Sequence, residues 1–257
     1  MIRINFIGTG SGKTSLRRNH TSFLIENDFG NILIDCGDGI SKALLQQQIN
    51  FNSIDSIFIS HLHADHFSGI ASLVTQMKLN GRKNKLTILS HKNLIPAIKE
   101  FVNSTYMFAE TIGFEIHFVE LEFDFKFHLN EKTKLMIKKN SHIKQKDETK
   151  NYPAKMFVSA SLMLEIDGKN IFYTSDIGNE EDFYLFNDNK FDCMITESTH
   201  VSCEEIFEAF NKLTPDKLFI VHISDDDEIH LLTWYNNLDS LTKEKIMIPS
   251  DGFSYSL

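Results

Sequence analysis

Apolar residues in this chain come in short runs bounded by clusters of Gly, Asp, Asn and Ser, the rhythm of strands and turns. Strands are expected at 2–7, 21–26 and 31–35, the last running into Asp35-Cys36-Gly37-Asp38-Gly39. A helical pattern over 39–49 follows, then a strand at 56–60, a polar loop, a helix around 67–79 stopped near Gly81, and a strand at 86–90. Residues 94–109 read as helix and 114–128 as strand-rich. Beyond them the pattern predicts a strand at 132–139, a Lys-rich loop at 144–155, and a hairpin of 156–166 with 170–175 around Asp167-Gly168. A helix-like stretch, a strand at 193–196, a helix at about 203–213, a strand at 217–223, a helix near 227–243 and a strand at 246–248 complete it.

The two halves echo each other. "GNILIDCGDG" resembles "GKNIFYTSDIG", and "IDSIFISHLHADH" resembles "FDCMITESTH"; each is an apolar strand that delivers polar residues at its C-terminal end. An α/β architecture is expected, with two similar halves packed sheet on sheet and helices outside. No linker rich in Pro, Gly or Ser separates them, so 1–257 reads as a single domain with halves of approximately 1–128 and 129–257.

Bulk properties narrow the function classes. A chain of 257 residues with 42% hydrophobic content can bury a core and is not wholly disordered. No apolar run approaches the roughly 18 residues of a membrane span, and Ile2–Phe6 alternates like a strand rather than a signal peptide. Cys36, Cys193 and Cys203 form no CxxC pair, which suits a reducing compartment; a cytoplasmic protein with no membrane association is expected. A net charge of −9, with only four Arg among 26 basic residues, disfavours an extended nucleic-acid footprint. Lys138, Lys139, Lys144 and Lys146 read as a solvated cluster.

Two motifs carry candidate chemistry. "IGTGSGKT", residues 7–14, invites comparison with a phosphate-binding loop, but Gly8 stands one residue too close to Gly12, and the following "SLRRNHTSFLIEND" is strand-like where a helix is required. It is read as a turn. "SHLHADH", residues 60–66, places His61, His63, Asp65 and His66 in one short loop behind an apolar strand, and imidazole with carboxylate is the donor set of Zn²⁺ and its neighbours.

This HxHxDH loop resembles the signature of the metallo-β-lactamase-fold hydrolases, whose fold is an αββα sandwich of two mixed sheets packed face to face. The resemblance implies three further ligands, and His142, Asp176 and His222 follow in order, each behind an apolar strand. It then implies one metal on His61, His63 and His142, a second on Asp65, His66 and His222, and Asp176 bridging, with two Zn²⁺ ions or Mn²⁺ in their place. "GTGSG…RRNHTSFLI…LIDCGDG" is similar to the ribonuclease Z-like branch, matching it at Arg18, Asn19, Ser22, Asp35, Gly37, Asp38 and Gly39, with Thr14 where a proline is usual. Asp35 is expected to support the metal loop through hydrogen bonds. "TESTH" supplies Glu197 and His200, Glu197 orienting His200 and His200 stabilising the phosphorane or protonating the leaving oxygen.

The long arm of transfer-RNA-processing members is missing between His142 and Asp176. The pattern is therefore similar to compact anti-Pycsar-type cyclic-nucleotide phosphodiesterases. It implies a dinuclear-metal enzyme that hydrolyses a small phosphodiester, a cyclic nucleotide, by attack of a metal-bridging hydroxide, with Asp65 orienting the attacking group and His200 assisting. A ribonuclease Z-type tRNA 3′ endonuclease is the alternative, then a lactonase or thioesterase. Relatives pair as homodimers, and residues 100–115 are the expected loop reaching the partner's pocket, with Tyr106, Phe108 and Phe114 as candidate walls of a base pocket. The remaining histidines, His20, His91, His117, His128 and His230, are expected to be structural or solvent-facing.

Overall fold

In a computed structural model describing residues 1–257, the expected strands assemble into two seven-stranded sheets. The first holds β1 (Arg3–Gly8), β2 (Ser22–Glu26), β3 (Ile32–Ile34), β4 (Ser56–Phe58), β5 (Leu86–His91) and β6 (Ile116–Leu121) in chain order. The second holds β7 (Lys126–His128), β8 (Thr133–Lys139), β9 (Ala160–Ile166), β10 (Lys169–Tyr173), β11 (Cys193–Glu197), β12 (Leu218–Val221) and β13 (Ile246–Met247). The C-terminal strand β14 (Ser254–Ser256) returns to the first sheet beside β1, so the chain divides between the sheets at the β6–β7 connection and crosses back once.

Strands β3 to β6 run parallel, as do β10 to β13; β8 is antiparallel to β9 and β9 to β10, so β8 points the same way as β10. Parallel strands covered on both faces read as near-continuous apolar runs, and the period of two sorts their side chains into layers. On β4, Phe58 enters the core between the sheets while Ile57 joins the outer core beneath the helices. On β11 and β12, Cys193, Ile195, Phe219 and Val221 face inward, while Met194, Leu218 and Ile220 face the other helical layer. The three cores define the expected αββα sandwich. Each fully buried Ile, Leu or Phe contributes about 1.5–3 kcal/mol against the entropy of ordering the chain.

Helices α1 (Ile40–Gln46), α2 (Ala64–Phe67), α3 (Ile70–Leu79), α4 (Ile95–Ser104) and α5 (Ala109–Ile112) belong to the first half, and α6 (Cys203–Leu213), α7 (Glu228–Asn236) and α8 (Ser240–Lys245) to the second. Two expected helices are broken. The 94–109 segment stops at Thr105, and Tyr106 takes a left-handed φ of 64° before α5 begins. The 227–243 segment restarts where the Asp239 carboxylate accepts from the backbone N–H of Leu241 and Thr242, a cap strong enough to open a new helix. The helix-like stretch after Asp176 is a short 3₁₀ helix at Glu180–Tyr184. No helix is long and apolar enough to cross a membrane. All three cysteines are free and buried.

Candidate metal centre

The site lies where strand C-termini of both sheets meet. β3 delivers Asp35, β4 the 60–66 loop, β8 His142, β10 Asp176, β11 Glu197 and β12 His222. His63 stands in extended conformation just before α2, which carries Asp65 and His66 on a single turn. That loop is docked by close approach: a Cβ on Gly37 would sit 1.9 Å from the Asp65 carbonyl oxygen, and one on Gly12 would sit 2.9 Å from the Asp65 carboxylate. At Gly37, where the obstacle is backbone, only glycine fits. Asp35, Ser175 and His222 hold left-handed φ values of 56°, 57° and 54°, so strained backbone clusters where these strands end.

The structure brings all seven expected donors together. Donor atoms of His61, His63, His142 and Asp176 lie within 4.8 Å of one another, as do those of Asp65, His66, Asp176 and His222, with Asp176 common to both. The His142 Nε2 and His63 Nδ1 nitrogens are 3.2 Å apart. In the second group, His66 and His222 each place Nε2 3.3 Å from oxygens of both Asp65 and Asp176. Two ligands bound tetrahedrally to one zinc stand about 3.3 Å apart, given bonds of about 2.0–2.1 Å.

Divalent ions fit this set on independent grounds. His61 Nε2, His66 Nε2 and Asp176 Oδ1 are buried without a hydrogen-bond partner, and each such orphan costs about 1–3 kcal/mol. Burial pushes His61 well below its ordinary pKa and His142 down to about 4, the neutral state a ligand needs. His66 goes the other way: burial opposes its charge, but Asp176 and Asp35 outweigh burial and hold a proton there. The carboxylates thus call for positive charge at this point, which a cation supplies.

Supporting contacts orient the donors. The buried Asp35 carboxylate accepts from His66 Nδ1–H at 2.8 Å, Ser60 N–H at 2.8 Å, Ser60 Oγ at 2.9 Å and the Tyr173 hydroxyl at 2.9 Å. His66 Nε2 is thereby turned inward. Asp182 accepts from Ser141 N–H and Oγ and from Gly178 N–H, tying the His142 and Asp176 loops together. The Thr199 hydroxyl lies 3.0 Å from His222 Nδ1. Tyr173, Asp182 and Thr199 were not legible as supporting residues, because their partners are distant in sequence; only Tyr173 and Thr199 lie near a strand end.

Glu197 and His200 pair as expected. The His200 Nδ1–H donates to Glu197 at 2.8 Å, and this hydrogen bond raises the His200 pKa against the opposing effect of burial. His200 lines the cavity over the donors, which is about 330 Å³ and has no hydrophobic side chain in its wall.

The Gly-rich segment is a turn, as expected. Its Thr9, Gly10 and Ser11 N–H groups are already bound to Asp251, Asn19 and Ile223, so none of these three is free to wrap a phosphate. Asp251 also accepts from Asn19, and Arg18 is fixed on Glu228, Thr9 and Pro249. His20 bonds the Ser11 carbonyl and His91 stacks on Phe123, while His117, His128 and His230 are exposed. The expected base-pocket wall is corrected at Phe114, which is buried in the helical core with Arg82 over its ring; Tyr106 and Phe108 are exposed.

Fold and donor set together define a ribonuclease Z-like protein of the metallo-β-lactamase fold. The chain belongs to the family described as Anti-Pycsar protein Apyc1, whose model matches residues 2–234. It is similar to the ribonuclease Z of Saccharolobus solfataricus, 36% identical over 121 residues that make up 47% of this chain and 40% of that protein. The ribonuclease Z of Aeropyrum pernix is 37% identical over 120 residues, 46% of this chain and 38% of that one. The matched part thus spans less than half of these curated relatives. Among solved structures, the metallo-β-lactamase fold protein YhfI from Bacillus subtilis superimposes with a TM-score of 0.75 at 16% identity, covering 100% of both chains. The short form of human tRNase Z, ELAC1, gives 0.72 at 17%, covering 99% of this chain and 98% of that one. These two share the fold.

Proposed function

We propose that the protein is a metal-dependent phosphodiesterase acting on a small phosphodiester, a cyclic nucleotide. The observation that carries this reading is the convergence of seven donors, all but the exposed His63 buried or half-buried, on two adjoining points, with His200 held at the mouth by Glu197. His61, His63 and His142 would hold one ion, Asp65, His66 and His222 the other, and Asp176 both, zinc being the expected metal. When bound, the pair supplies Lewis-acid stabilisation of phosphoryl oxygens and activation of a water molecule at neutral pH.

The chain's own side chains do the rest. Asp65 orients the attacking water. His200, its Nδ1–H committed to Glu197, presents Nε2 to the cavity and delivers a proton to the leaving ribose oxygen as the P–O bond breaks. Lys13 adds the cavity's one Lys or Arg side chain, anchored by Asp226, and its charge suits an anionic diester better than a lactone or thioester. Only residues 143–175 lie between His142 and Asp176, too few for an RNA-gripping arm beyond the strands they form. The same reading takes the protein to be a cytoplasmic homodimer, which sedimentation tests.

A second reading, tRNA 3′ endonuclease, is favoured by the similarity to archaeal ribonuclease Z. Incubation with 3′,5′-cyclic mononucleotides beside a 3′-extended pre-tRNA separates the two. Ring opening that is lost with chelator and in His200→Ala supports the proposal. Trimming of the pre-tRNA alone would replace it with the second reading, and silence on both would send the site to lactones and thioesters.

A further inference from the structure

The donor-lined cavity has an apolar neighbour. His63 lines both, and beyond it lies a pocket of about 300 Å³ with no Asp, Glu, Lys or Arg in its wall. Leu62 and Leu94 contribute from the first half of the chain, Ile143 directly follows His142, and Tyr152, Met156 and Phe157 come from the loop beyond. That loop reads from sequence as a solvated, Lys-rich stretch. In the structure Lys146, Lys150 and Lys155 are exposed, while its few apolar side chains gather on the pocket.

The loop is held in shape by its own backbone. Gln145 Nε2 donates to the carbonyls of Thr149 and Tyr152, Tyr152 N–H bonds the Thr149 carbonyl, and Met156 and Phe157 close turns onto Pro153 and Ala154. Yet Tyr152 is 59% and Met156 56% exposed. Large apolar side chains fixed beside a polar reaction cavity form the usual composition of a ligand subsite, with apolar walls next to a few placed polar groups.

We propose that this pocket is the subsite for an uncharged planar ring, a nucleobase, attached to the phosphodiester whose phosphate occupies the donor-lined cavity. The inference rests on the phosphodiesterase reading and adds to it the part of the substrate that does not react. Two features select a ring over a peptide segment or an alkyl chain. The shared His63 requires the occupant to be joined to the reacting group across the width of one residue, which suits one molecule spanning both cavities. Tyr152, Phe157 and the Met156 thioether offer the flat faces and soft edge that stack on π-systems.

The test uses metal-loaded protein labelled at its Met and Ile methyl groups, titrated with adenosine and, separately, with inorganic phosphate. Adenosine is expected to shift the methyl resonances of Met156 and Ile143 but not those of Met163 and Met194, which lie in the core of the second sheet. Phosphate is expected to leave Met156 unmoved. Tyr152→Ala, at an exposed position, is expected to weaken the adenosine response and to raise KM for cyclic nucleotides about tenfold, the weight of a lost stacking partner, with kcat changed less than twofold. Adenosine shifts confined elsewhere, or unchanged in Tyr152→Ala, would overturn the subsite. A dimer broken by Met156→Lys with the adenosine response intact would assign the pocket to a second copy of the chain and overturn it equally. Methyl shifts without any ring opening would retain the subsite and sink the phosphodiesterase reading; ring opening with silent methyls would do the reverse.

Discussion

At the mouth of the cavity one carboxylate fixes both the place and the charge of His200. Glu197 is buried and accepts from Ile177, Thr199 and His200 N–H groups as well as from the His200 ring. The raised pKa keeps the ring protonated further into the neutral range, as an acid for the leaving oxygen requires. If His200 is that acid, kcat falls as pH rises through the raised value. Glu197→Gln removes the cause, so the fall should begin at lower pH, nearer the ordinary 6.5. His200→Ala should lower kcat by about 10²–10⁴ and flatten that limb while leaving metal content unchanged. The stability linkage has the same sign. A folded-state pKa raised above 6.5 stabilises the fold below that pH, and the contribution is lost as pH rises through the folded value. Behind the donors, Asp35→Asn should weaken metal binding about 10–100-fold in a chelator competition, because His66 Nδ1–H loses its carboxylate acceptor.

Among the elements, the 60–66 loop shows what local sequence can and cannot tell. The clustering of His61, His63, Asp65 and His66 was legible because a metal-ligating set needs those residue types at short range, and the apolar runs ahead of His142, Asp176 and His222 mark strands whose ends converge. The packing that presents the loop was not legible. Gly37 matters because its Cα passes against the Asp65 carbonyl, a contact between segments far apart in sequence. Gly37→Ala should therefore cost about 1–3 kcal/mol by overpacking, seen as a lower Tm, and should cost metal affinity as α2 is displaced. The broken helices failed for a related reason: Asp239 and Tyr106 override periodicities that otherwise continue. The 144–155 loop misleads by composition, since its many lysines outnumber the apolar residues that matter.

For the whole molecule, the site doubles as a joint between the sheets. The Tyr173 hydroxyl of the second sheet donates to Asp35 of the first, and the seven donors come from both. Metal binding should therefore stabilise the sandwich as a unit. Ions present at 1,000 times their Kd would add about 4 kcal/mol for each site filled, and chelation should lower Tm in a single cooperative transition. The net charge of −9 sets the other global expectation, negligible retention on immobilised pre-tRNA at physiological salt.

The central claim, two ions shared by Asp176 and used on a phosphodiester, is tested most directly by titrating metal-free protein with zinc while following 3′,5′-cyclic nucleotide ring opening. Activity should climb to a plateau at two ions per chain and vanish again with chelator. A plateau at one ion, or full turnover in chelator, would contradict it.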